Sequence, residues 1–146
     1  MTYEFKNPSD DVIYSYLENA KNIAVVGLSN DESKTSNRVA KVLKDFGFKI
    51  IPVNPSLAGQ EVLGEKAYAS IKDIPVHIDI VDVFRRSEFL PQVAEEFITT
   101  DVDVFWAQLG LQNEEAAEIL RSHGKNDIVM NRCIKIELAN SGLVRK

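Results

Sequence analysis

Apolar and β-branched residues gather in five short runs: IAVVG (Ile23 to Gly27), FKIIPV (Phe48 to Val53), IDIVDVF (Ile78 to Phe84), VDVFWAQ (Val102 to Gln108) and DIVM (Asp127 to Met130). Runs with so little polar alternation predict strands buried on both faces. Between them the period changes. Val39, Val42, Leu43 and Phe46 keep the i, i+3, i+4, i+7 spacing of one helix face, with Ser36 as the expected N-cap and Gly47 as the stop. Leu90, Val93, Ala94 and Phe97 repeat that spacing behind Ser87, where Pro91 falls in the tolerant first turn. A third helix is expected from near Asn113 to Gly124, and a leading one over Asp10 to Asn19. Leu57 to Pro75 reads as a longer connection carrying a short edge strand at Lys66 to Tyr68 and a helical turn after it.

Strand and helix alternating at this interval imply right-handed crossovers. The expected fold is therefore a Rossmann-like, three-layer α/β/α domain with a mostly parallel sheet. The chain of 146 residues is read as a single domain, residues 1–146, with its core over about residues 10–139.

In such sheets ligands sit beyond the carboxyl ends of the strands, where strand order reverses. A dinucleotide fingerprint would place G-x-G-x-x-G after the first strand and an acid after the second. This chain instead has Gly27 followed by Ser29, Asn30, Ser33, Lys34, Thr35, Ser36 and Asn37, and its second strand ends in Val53-Asn54-Pro55. The missing glycines and acid weigh against ordinary NAD binding, and no Walker motif occurs. A hydroxyl-rich loop entering a helix N-terminus still suits phosphate, with Lys34 and Arg38 adding charge. It reads equally as a solvated loop rich in capping residues.

Four further strand ends turn toward the same crevice: Asn54-Pro55, Phe84-Arg85-Arg86, Gln108-Leu109-Gly110 and Arg132-Cys133. Arginines at the end of a buried-type strand suit bidentate phosphate contacts, each worth roughly 1.5 to 3 kcal/mol. The alternative is a surface pair satisfied by acids such as Glu88. In this reading Ser29, Ser36 and the helix start take pyrophosphate, Lys34, Arg38 or Arg85 supply charge, and Val53, Pro55 and Phe84 form apolar walls.

Taken together, IAVVGLS, SNRVAKVLKDFGFKIIPVNP, LGEKAYASIKDIP, DIVDVFRRSE, FWAQLGLQNEEAA and MNRCIKIE resemble the small stand-alone coenzyme A-binding proteins. Their domain is similar to the CoA-binding domain of the succinyl-CoA synthetase alpha subunit. The similarity covers about Asp10 to Ala139, and VNP, VFRR, QLG and RC in this order carry most of its specificity. The resemblance implies that Gly27, Leu28 and Ser29, the Ser36 to Arg38 helix start, Val53 to Pro55 and Phe84 to Arg86 meet coenzyme A or an acyl-CoA. Gln108 to Gly110 and Arg132 would complete the wall. Asn131 and Leu138 depart from the family pattern, which has an acid before Arg-Cys and a histidine after Ile-Glu. The chain is too short for the synthetase's second domain, so its reaction does not carry over.

Charge and composition narrow the rest. Hydrophobic residues make up 45% and charged residues 27%, with a formal charge of −5 and a pI near 5.1. That composition marks a globular protein and weighs against a surface built for nucleic acid. No apolar run reaches membrane-spanning length, and one cysteine with no leader pattern in the opening residues points to the cytoplasm. No protein partner is signalled. His77 and His123 occur singly without metal-ligand spacing, the latter reading as a helix cap, and Asp79 and Asp82 read as structural. The expectation is a non-catalytic CoA carrier, sensor or regulatory module. An NAD(P)- or nucleotide-dependent enzyme is the first alternative. A redox protein forming a mixed disulfide between Cys133 and CoA is the second, against Cys133 as an ordinary buried thiol.

Overall fold

A computed structural model describes residues 4–144. In chain order it contains α1 (Asp10–Asn19), β1 (Asn22–Val26), α2 (Thr35–Phe46), β2 (Lys49–Val53), β3 (Glu61–Val62), β4 (Glu65–Lys66), β5 (Ile80–Val83), α3 (Leu90–Phe97), β6 (Val104–Ala107), α4 (Glu114–Ser122), β7 (Ile128–Val129) and α5 (Ile134–Ser141). Five strands form one parallel sheet in the order β2-β1-β5-β6-β7. The expected Rossmann-like α/β fold is thus the observed one.

Alternation along each strand sends neighbours to opposite faces, and both faces are apolar. Ala24, Val81, Val83 and Phe105 meet Val93, Phe97 and Leu120 of α3 and α4. Ile23, Val25, Ile80 and Trp106 meet Leu17 of α1, Val39 and Leu43 of α2 and Ile134 of α5. Trp106 is fully buried, and its indole N–H donates to the Arg132 carbonyl at 2.9 Å. The three layers follow from those two sets.

The strands are shorter than their apolar runs, because Ile78, Val102 and Met130 are buried outside the sheet ladder. The Leu57 to Pro75 connection holds the β3–β4 hairpin, a parallel bridge from Tyr68 to Val53, and a 3-10 turn at Ile71–Asp73. One expectation needs correction. Ser36 is not the N-cap of α2: the helix starts at Thr35 with Lys34 at the cap, and no side chain caps its amides. The chain after Cys133 carries α5, a helix that the periodicity does not announce.

Candidate functional site

From β1 the chain moves outward to β2, then returns across β1 to β5, so strand order reverses between β1 and β5. Gly27 leaves β1 at that point with φ +87°, and its amide donates to the Val53 carbonyl at 2.8 Å. A Cβ there would lie 2.5 Å from the Phe84 carbonyl oxygen. Only glycine lets the ends of β1 and β5 come this close.

The loop that follows is tied down by its own side chains. Ser36 Oγ accepts from the Ser29 amide at 3.1 Å, Ser29 Oγ accepts from the Asp31 amide at 3.0 Å, and Asn37 Nδ2 donates to the Ser29 carbonyl at 2.8 Å. Asn54 Nδ2 donates to the Leu28 carbonyl at 3.1 Å, while its Oδ1 accepts from the Ser56 amide. Leu28 itself is fully buried. Ser29, Ser36 and Asn54 therefore act first as clamps that hold the crevice open in one shape.

Two adjoining cavities open over the strand ends and share Phe84, Arg85 and Arg86 as their common wall. The larger, about 840 Å³, runs over Gly27, Val53, Asn54 and Pro55 toward Lys72 and Gln92. The second, about 570 Å³, is mostly apolar and runs from Thr35 and Val39 past Gln108 to Leu109, Cys133 and Ile136. The first turn of α2 faces this second cavity with its amides uncapped, an arrangement that favours an anion.

The two arginines differ. Arg86 is paired with Glu88 at 3.4 Å and largely solvated, the arrangement expected of a surface pair. Arg85 meets no carboxylate among the described residues; its guanidinium stacks 4.7 Å from the Phe89 ring centroid, which orients it without neutralising it. It is the cation on the dividing wall that keeps its charge for a ligand.

The structure therefore brings Gly27, Val53, Asn54, Pro55, Phe84, Arg85, Arg86 and Gln108 to the cleft. Gln108 is buried and clamps α5, its Oε1 accepting from the Ile134 amide at 3.0 Å. Lys34 and Arg38 stand exposed at the start of α2. Gly110 is exposed beyond the cavity wall, its amide bonded to Asn131 Oδ1 at 2.7 Å. Arg132 turns away from the cleft to Asp10 at 3.5 Å and Glu137 at 3.4 Å. Residues not anticipated are Lys72, Phe89, Gln92 and Glu96 of the larger cavity, supplied by the turn after β4, the turn just before α3, and α3 itself.

A cleft at the switch point of a parallel sheet is the place where α/β domains hold their ligands. Residues 21–139 match the family described as the CoA binding domain, and the chain belongs to that family. It is 53% identical over 131 residues to the uncharacterized protein YneT of Bacillus subtilis, covering 90% of this chain and 95% of that one. It is also 40% identical over 82 residues to the ADP-forming acetate–CoA ligase II subunit alpha of Pyrococcus furiosus, covering 56% of this chain but 18% of the ligase subunit. A solved Thermus thermophilus protein superposes with a TM-score of 0.87 at 33% identity, covering 92% of this chain and 99% of the other. A hypothetical protein from Pyrococcus horikoshii OT3 does so at 0.86 and 33%, covering 95% and 98%.

Proposed function

We propose that this protein binds coenzyme A or an acyl-CoA in the cleft at the β1–β5 switch point and acts as a carrier, sensor or regulatory module without catalysis of its own. The observation that carries the reading is Arg85, a guanidinium paired with no carboxylate among the described residues, on the wall shared by a cavity of mixed polarity and an apolar one. A CoA molecule has the matching halves: a charged nucleotide and a thin, mostly apolar arm. The larger cavity suits the nucleotide, with Val53 and Pro55 against the base and Arg85 at phosphate. The apolar cavity suits the arm or its acyl group.

The test is calorimetric titration with CoA, acetyl-CoA and NADH, repeated on Arg85→Ala. Selective CoA or acetyl-CoA binding that weakens at least about tenfold in the variant supports the reading, through loss of a charge-assisted contact. Equal affinity for NADH, or no CoA binding, overturns it.

Cys133 on the wall of the apolar cavity favours a second reading, in which the thiol end of the ligand exchanges with it. The Cys133 thiolate attacks one sulfur of CoA disulfide, forming a protein–CoA disulfide and releasing one CoA thiolate. Intact-mass measurement after exposure to CoA disulfide shows the adduct if this occurs, and its absence removes this reading alone.

A further inference from the structure

Opposite the cleft, at the amino-terminal end of the sheet, an imidazole and two carboxylates converge from separate segments of the chain. His77 and Asp79 precede β5 and Asp103 precedes β6. His77 Nε2 lies 2.9 Å from Asp103 Oδ2 and 3.7 Å from Asp79 Oδ1. One potential ligand atom from each of the three residues falls within 4.8 Å of the others. Around Zn²⁺, with ligand bonds of about 2.0 to 2.2 Å, tetrahedral ligand atoms sit about 3.5 Å apart. The 3.7 Å pair is close to that value, whereas the 2.9 Å pair stands at hydrogen-bond distance and would open on taking up an ion.

The surroundings fit a cation as well. Asp101 Oδ2 lies 3.2 Å from His77 Nδ1, so a carboxylate backs the imidazole and orients its Nε2 edge toward Asp79 and Asp103. Asp79 is fixed in place, its Oδ2 accepting from the Lys21 and Asn22 amides at 2.9 and 2.8 Å, which leaves Oδ1 for a ligand. The His77 carbonyl accepts from Asn22 Nδ2 at 2.8 Å, anchoring the backbone that carries the ring. Beside the triad is a small cavity of about 140 Å³, lined by Asp79, Asp103, Asp127 and Tyr16. It has room for waters to complete a coordination shell. His77 is the one basic group paired with Asp79, Asp101 or Asp103 among the described residues.

We propose that His77, Asp79 and Asp103 form a binding site for Zn²⁺ or a similar borderline divalent cation, with Asp101 orienting the imidazole and water filling the remaining positions. Nitrogen and carboxylate donors together select this class of ion over Mg²⁺ or Ca²⁺. The ion would pin the starts of β1, β5 and β6 to one another, away from the ligand cleft.

Metal-free protein titrated with Zn²⁺ by calorimetry, and with Co²⁺ by visible absorption, should bind one equivalent. His77→Ala and Asp103→Asn should each weaken binding at least about tenfold, as loss of a ligand or its support does. His123→Ala, on the far end of α4, should not change it. Long-range nitrogen NMR of the unsubstituted protein should show the His77 Nε2 resonance moving on Zn²⁺ addition, a readout that survives if the variants fail to fold. Absence of Zn²⁺ binding at about 1 mM, a His77 resonance that does not move, or Ca²⁺ bound as tightly as Zn²⁺ would overturn the proposal.

Discussion

Two single residues set the local limits of the cleft. Gly27→Ala places a methyl group 2.5 Å from the Phe84 carbonyl at a backbone φ of +87°. The expected cost exceeds about 1 to 3 kcal/mol, since strained backbone and a clash with main chain act together, and thermal melts of the variant measure it. Asp82, in the middle of β5, is fully buried with neither carboxyl oxygen hydrogen-bonded. Burial pushes its pKa well above the ordinary value, so the folded chain holds this proton more tightly than the unfolded chain does. Its contribution is whole below the unfolded-state pKa and is lost as pH rises toward the folded-state value, so it lowers stability from mildly acidic pH upward. Asp82→Val should stabilise the protein at pH 7 by about 1 to 3 kcal/mol. Urea unfolding at pH 5 and 7 should show the gain growing with pH; a less stable variant would mean that the carboxyl is paired.

At the scale of elements, the sequence makes most of the frame readable because each core helix shows a stripe. The buried positions Val39, Leu43, Val93 and Phe97 sit where their spacing places them, whereas Val42 of the same expected stripe is 39% exposed, on the solvent side of α2. For α5 the pattern misleads: Ile134, Ile136 and Leu138 alternate as a strand would, yet Ile136 is 45% exposed while Ile134 and Leu138 are buried four residues apart. The start of α5 is held from outside by the Gln108 side chain. Gln108→Leu should therefore cost about 1 to 2 kcal/mol and speed amide exchange across α5, measured by hydrogen–deuterium exchange. The site was legible to the same extent. Gly27, Pro55 and Phe84 to Arg86 follow from topology, which sends every parallel strand end to one edge. That Arg132 faces Asp10 of α1, and that Asn54 fastens the loop at Leu28, depends on contacts between distant segments that no local pattern encodes. The same holds for His77 and Asp103, 26 residues apart.

At the scale of the whole molecule, the five-stranded parallel sheet carries a cleft at its carboxyl end and a group of carboxylates around one histidine at the other. A ligand held only by the folded cleft should stabilise the entire fold. CoA at a hundred times its Kd adds about 2.7 kcal/mol, which for a chain of this size raises Tm by about 5 to 11 °C in calorimetry. A rise that NADH reproduces would count against the proposed selectivity. One further property follows from Trp106, the chain's single tryptophan, which has no exposed surface and lies outside both cavities. Its emission should be blue-shifted in the native state and move to the red only when the sheet comes apart. The protein thus carries an intrinsic optical gauge of unfolding in a residue that lines neither cavity.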